Sequence, residues 1–175
     1  MALMEIWGHR GAYHFAPENT LTGFQAAADM GAFGVEFDIQ LTKDGEVVVI
    51  HDETIDRTSN GRGFVRDFTL SKLKKLNFNK RGITPPVFME IPTLSETFEL
   101  LRSTGLKINV ELKTGVVFYD EIEQKALAIA ERYGLLNRIV YSSFNHYSVQ
   151  KIKALEPQAQ TALICAGGIL VTGEQ

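Results

Sequence analysis

The segment Val35-Glu36-Phe37-Asp38-Ile39-Gln40-Leu41-Thr42-Lys43-Asp44-Gly45-Glu46-Val47-Val48-Val49-Ile50-His51-Asp52 reads as two apolar strands, Val35–Leu41 and Val47–His51, with Thr42–Glu46 between them. A parallel crossover takes about a dozen residues or more, so a link this short makes a hairpin. Asp44-Gly45 is a strong two-residue turn signal. That turn pairs Lys43 with Glu46, sets Gln40 opposite Val49, and sets Asp38 opposite His51. The reverse face then pairs Leu41 with Val48 and Ile39 with Ile50, and an all-apolar reverse face supports this register. Glu36 shares the face of Asp38, two residues away.

Outward from this hairpin, strand-like runs alternate with helical patterns. A first strand is predicted at Leu3–Gly8. A helix over about Thr20–Met30 follows, with Leu21, Phe24, Ala27 and Ala28 at helical spacing and Gly31 as its stop. Asn19 or Thr20 serves as its N-cap. Residues 53–92 read as irregular, punctuated by Gly61, Gly63, Pro85, Pro86 and Pro92, with a helical turn near Leu70–Leu76. A helix capped by Thr93 or Ser95 runs to about Ser103. A strand at Leu106–Leu112, a helix over about Asp120–Tyr133, a strand at Arg138–Ser143, a helix to about Leu155 and a strand at Thr161–Cys165 complete the series. Such alternation implies βαβ units and a largely parallel sheet with helices outside. Chemistry in such folds sits at the carboxyl ends of the strands.

Composition limits what this α/β chain can do. Its 175 residues suit one domain. Hydrophobic residues make up 45% and charged residues 22%, which excludes a mainly disordered chain. The 18 Lys+Arg nearly balance the 21 Asp+Glu, giving −3, so a basic nucleic-acid binder is not expected. No apolar run approaches the ~20 residues of a membrane span. No signal peptide is visible at the start. The single cysteine, Cys165, forms no intrachain disulfide, and a reducing, cytoplasmic location is the expectation. There is no tandem repeat, Gly-rich phosphate loop, Cys/His zinc spacing or nucleophilic Ser elbow.

Polar residues gather at the expected strand ends: His9-Arg10-Gly11, Glu36 and Asp38, His51-Asp52, and Glu111 with Lys113. A buried parallel strand should be Val, Ile and Leu throughout, so these interruptions would be costly if dry and unpaired. Glu36, Asp38 and Glu111 make a hard-oxygen set suited to Mg²⁺ or Ca²⁺. The other reading is a network of ion pairs closing a barrel layer. His9 and His51 flank the acids and can divide general-base and general-acid duties near neutral pH; otherwise they are hydrogen-bonded core or rim histidines. Arg10 and Lys113 add positive charge fit for phosphate oxygens, or pair with Glu18, Glu36 and Glu111. Phe144 either lines the pocket or packs in the core. His14 and His146 lack such neighbours. Gly61-Arg62-Gly63 reads as a turn and Lys72–Lys75 as a solvated helix face.

His9-Arg10-Gly11, Pro17-Glu18-Asn19-Thr20, Glu36-Phe37-Asp38, Thr42-Lys43-Asp44-Gly45, His51-Asp52 and Glu111-Leu112-Lys113, with Ser142-Ser143-Phe144 in the same order, resemble the glycerophosphodiester phosphodiesterase family. The resemblance spans essentially the whole chain. It implies one domain over residues 1–175, a TIM-type (β/α)8 barrel with a small insertion after the third strand, at residues 53–92. It implies a divalent-cation site at Glu36, Asp38 and Glu111, His9 and His51 as the acid/base pair, and Arg10 and Lys113 on the phosphate. The implied substrates are small glycerophosphodiesters, cleaved to glycerol 3-phosphate and an alcohol. In the implied mechanism the substrate's own glycerol 2-hydroxyl attacks phosphorus, and the resulting cyclic phosphate is then hydrolysed.

The family barrel is longer than this chain, which holds six predicted strands where a complete TIM barrel has eight, over about 250 residues. Three expectations compete: a chain cut short after Gly167, a homodimer whose partner covers the open barrel edge, or an open six-stranded remnant. The alternative to the hydrolase is therefore a non-catalytic remnant that binds a metal or a partner through its open sheet edge. A phospholipase D-like toxin on a related barrel is a third reading, and would go with a secreted chain and disulfides.

Overall fold

The computed structural model describes residues 4–80 and 87–167. Leu3, Pro85, Pro86 and the segment after Gly167 therefore lie outside the described residues. The strands are β1 (Trp7–His9), β2 (Gly34–Leu41), β3 (Val47–Val49), β4 (Lys107–Leu112), β5 (Ile139–Ser143) and β6 (Gln160–Leu163). The helices are α1 (Leu21–Asp29), α2 (Leu70–Leu73), α3 (Leu94–Arg102), α4 (Ile122–Arg132) and α5 (His146–Leu155). The sheet order is β1-β2-β4-β5-β6, all parallel, with β3 antiparallel against β2. This is the α/β alternation expected, with five parallel strands and the hairpin strand as the sixth. Among the described residues, β1 and β6 form the two outer edges. No helix among them is long and apolar enough to cross a membrane.

One face of the sheet packs against the helices. Phe37 and Ile39 of β2, Ile108, Val110 and Leu112 of β4, and Ile139 and Tyr141 of β5 bury there with Phe24 of α1 and Phe98 of α3. Thr20 caps α1 by accepting from Gly23 N at 3.1 Å. Thr93 caps α3 in a reciprocal box with Glu96. The opposite face carries the polar residues. His9 lies beside Glu36, Glu36 beside Asn109, Asp38 beside Glu111, and Glu111 beside Ser142.

β1 is shorter and later than the predicted Leu3–Gly8. Only Trp7–His9 faces a partner, at Gly34–Glu36, while Met4 and Ile6 stay exposed. The strand ends at Arg10 and Gly11, which take φ 54° and 83°. A Cβ on Gly11 would meet the backbone carbon of Gly23 at 2.7 Å, so only glycine fits this approach of loop to helix.

The hairpin register is one residue away from the expected one. Ile39 pairs with Val49, Gln40 with Val48 and Leu41 with Val47. Asp38 consequently faces Ile50, whose N–H donates to the Asp38 carbonyl at 2.9 Å. Thr42, not Lys43, closes the turn opposite Glu46. Its hydroxyl accepts from Glu46 N at 3.0 Å and donates to Asp44 at 2.7 Å, and Gly45 sits at φ 77°. A three-residue loop ending in a left-handed glycine replaces the two-residue turn. The apolar pattern could not exclude this slip, because β3 is buried on both faces. Val47 and Val49 join the main core, whereas Val48 and Ile50 join a second core with Ile55, Val65, Leu73, Phe78 and Ile91. The described residues between 53 and 92 supply the rest of that second core, and Pro92 lies along β3, where Val49 N donates to its carbonyl at 2.9 Å.

Candidate functional site

Glu36 and Asp38 stand on β2 and Glu111 on β4, all on the polar face of the sheet. One carboxylate oxygen from each lies within 4.8 Å of the others. His9, at the tip of β1, places Nε2 3.8 Å from Glu36 Oε2. The left-handed turn after it aims the Arg10 N–H at the same oxygen, at 3.1 Å. The Arg10 guanidinium reaches Glu18 at 2.9 Å and lies 3.6 Å from Asp38. Lys113 Nζ donates to Glu111 at 2.9 Å and lies 3.9 Å from Asp38. Arg10 thus pairs with Glu18 and Asp38, and Lys113 with Glu111 and Asp38, as the ion-pair reading expects.

His51 arrives by a different route from the expected strand pairing. It lies beyond the end of β3, in a bend, rather than opposite Asp38. Its Nε2 is 3.3 Å from Lys113 Nζ, and its Nδ1 is 2.7 Å from Asp52 Oδ1. An ammonium can only donate and an ionised carboxylate can only accept. The neutral tautomer with its proton on Nδ1 satisfies both contacts, its Nε2 then accepting from Lys113. Phe144 is half exposed at the mouth, its ring centroid 6.0 Å from Lys113 Nζ, and it belongs to neither core.

Burial and the neighbouring Asp38 carboxylate push the Glu36 carboxyl up to about 8, against the Arg10 N–H that opposes them. Burial and then the Arg10 charge hold His9 below its ordinary value. Asp52 is held down at about 2, chiefly by its hydrogen bonds from Arg57. Asp38 is fully buried, and its Oδ1 has no hydrogen-bond partner. An orphaned carboxylate oxygen inside a set of three acids fits a hard divalent cation, whose ligands are oxygens of this kind.

Three contributors were not legible in the sequence. Of the two residues offered as the cap of α1, Thr20 does the capping, while Asn19 takes φ 56° and donates from Nδ2 to Asp38 Oδ2 at 3.0 Å. Gln40 is fully buried, and its amide Nε2 gathers the carbonyls of Ile50, His51 and Asp52 at 3.2, 3.0 and 2.7 Å. Its place among apolar residues on the face of Glu36 and Asp38 was the available signal. Arg57 grips Asp52 and Glu18 together, and nothing local in the sequence marks it. His14 stacks beside Tyr13 and His146 lies 3.9 Å from Cys165 Sγ; neither touches the carboxylates. Gly63 N donates to Asp56 in a turn; Lys72 and Lys75 are exposed, and Lys74 between them pairs with Glu90 and Glu96.

Residues 9–171 match the glycerophosphoryl diester phosphodiesterase family. A glycerophosphodiester phosphodiesterase of Caldanaerobacter subterraneus subsp. tengcongensis is 44% identical over 165 residues, covering 94% of this chain and 68% of that protein. The crystal structure of a glycerophosphodiester phosphodiesterase from Agrobacterium tumefaciens superposes with a TM-score of 0.81 at 31% identity, covering 91% of this chain and 66% of the other. A phosphodiesterase of Oleispira antarctica, solved in complex with the product sn-glycerol-3-phosphate, is 31% identical with a TM-score of 0.76, over 92% of this chain and 65% of the other. The chain thus spans about two thirds of the length of these relatives.

Proposed function

Because the chain belongs to the glycerophosphoryl diester phosphodiesterase family, we propose that it hydrolyses small glycerophosphodiesters to glycerol 3-phosphate and an alcohol. The observation that carries this reading is the convergence of three carboxylates within 4.8 Å, flanked by His9 on one side and His51 on the other. The product bound to the Oleispira antarctica relative supports the same substrate class.

Glu36, Asp38 and Glu111 would hold the cation. When bound, Mg²⁺ or Ca²⁺ supplies positive charge that polarises the phosphoryl group and offsets charge developing on its oxygens. Arg10 and Lys113 bind the remaining phosphate oxygens, the Arg10 fork matching two of them. Phe144 lines the mouth beside Lys113. The two histidines divide the proton transfers. One removes the proton of the substrate's glycerol 2-hydroxyl, and the other protonates the leaving alcohol. Their roles then reverse as water opens the cyclic phosphate. No protein nucleophile is required.

The test is purified protein with glycerophosphocholine and Mg²⁺ or Ca²⁺, followed by chelation. Release of glycerol 3-phosphate that stops on chelation is expected. No cation-dependent release rejects the hydrolase and leaves the non-catalytic reading, which the exposed apolar side chains beside β1, Ile6 and Trp7 among them, favour. Sedimentation of the same sample tests for the homodimer across that edge.

A further inference from the structure

We infer that Arg57, carried on the segment after β3, is the residue that positions His51 for proton transfer, acting through Asp52. This deepens the phosphodiesterase reading above and rests on it for the reaction, though not for the geometry. Arg57 sends Nε to Asp52 Oδ2 at 2.7 Å and Nη2 to Asp52 Oδ1 at 3.0 Å. The same guanidinium sends Nη1 to Glu18 Oε2 at 2.5 Å and Nη2 to Glu18 Oε1 at 2.7 Å. It therefore holds two carboxylates at once, each through both oxygens. The first of these carboxylates is the acceptor of His51 Nδ1. The second also binds Arg10 at 2.9 Å. A continuous line of ion pairs runs from Arg10 through Glu18 and Arg57 to Asp52, whose carboxylate accepts from His51 Nδ1.

The chemistry of this line assigns the role. Asp52 orients the imidazole only while it is ionised and its carboxyl plane is fixed. An aspartate is ionised at neutral pH unaided, and Arg57 supplies the second condition, since its planar fork fixes the carboxyl's rotation. Held so, Asp52 accepts from Nδ1 and leaves Nε2 as the acceptor toward the site, the arrangement a general base needs. The mount of Arg57 is rigid. Ile55 is fully buried in the second core, Ile55 N donates to Gly63 O at 3.0 Å, and Ser59 N donates to Ile55 O at 3.0 Å. Beyond His51 and Asp52 themselves, Arg57 thus ties the chain after β3 to the site.

A plain structural tie between that segment and the sheet would stabilise the fold without setting the His51 tautomer. Nitrogen-15 NMR of the imidazoles distinguishes the two, with His51 identified by the signals lost in His51→Gln. The expected spectrum of the unsubstituted chain is that of a ring protonated on Nδ1. Arg57→Ala should shift His51 toward a mixture of tautomers. It should also lower kcat by about 10–100-fold, the usual cost of losing an orienting partner, with KM little changed. Arg57→Lys keeps a charge but cannot span both carboxylates, so kcat should recover only in part. An unaltered His51 pattern with unaltered kcat in Arg57→Ala overturns the assignment. If circular dichroism shows Arg57→Ala unfolded, Arg57→Lys decides by the same two readouts. If the unsubstituted chain turns over no substrate, the hydrolase reading fails, and the tautomer comparison alone still upholds or overturns the role of Arg57.

Discussion

Replacing Gln40 by methionine removes an amide while nearly keeping the side chain's length and volume. In the folded chain, Gln40 Nε2 reaches three carbonyls, of Ile50, His51 and Asp52, and its Oε1 accepts from Tyr119 Oη at 3.1 Å. An amide nitrogen carries two hydrogens, so the three carbonyls share two bonds, and the accepted bond from Tyr119 makes a third. At about 1 kcal/mol net for each, the substitution costs about 3 kcal/mol. The removed groups are fully buried, so the value should not fall far below this. Against a typical total of about 5–15 kcal/mol, that is a large share. With a urea slope of about 2 kcal/mol/M, the midpoint should move down by about 1.5 M at unchanged slope. The bend carrying His51 and Asp52 loses its anchor, so turnover should fall as well. Cation binding measured by calorimetry should hold, because the three acids stand on β2 and β4. A midpoint shift corresponding to less than about 1 kcal/mol would show that the carbonyls are satisfied without Gln40, and the account of the bend would be wrong.

Three further outcomes are expected. A Glu36 carboxyl held at about 8 is largely protonated at neutral pH, and a cation needs it ionised; calorimetric affinity for Ca²⁺ should therefore rise with pH up to about 8, with proton release, and a flat profile would contradict the cluster's electrostatics. His51→Ala should lose activity by several orders of magnitude while circular dichroism stays unchanged, and near-normal turnover would remove it from the chemistry. Asp52 falls from an unfolded value near 3.8 to about 2, so its contribution is present above pH 3.8 and lost as pH falls through about 2. The shift corresponds to about 2 kcal/mol at most, and about 1 after solvent screening of a side chain 27% exposed. Acid titration of Arg57→Lys should show this contribution reduced between pH 4 and 2.

The hairpin shows where reading a sequence succeeds and where it stops. That Thr42–Glu46 reverses the chain follows from its length alone. The register does not, because Val47, Val48, Val49 and Ile50 are apolar on both faces and satisfy either pairing. Thr42 decided it, through a hydroxyl that closes a three-residue loop. His51 nonetheless reaches the site, since the bend after Ile50 carries it there. Arg57 was invisible for a different reason. Its partners, Glu18 and Asp52, are separated in the chain and meet only after the segment at 53–92 has wrapped its own core.

Local periodicity and residue type by themselves determined the order of strands and helices, the acids and imidazoles at the strand tips, and the family to which they belong. These depend on neighbours within a turn or two of chain, and a linear string contains them. Which residue faces which across the hairpin, which tautomer His51 adopts, and which arginine steadies it were decided by tertiary contact alone. Each depends on polar groups from distant segments satisfying one another once water has been excluded from between them.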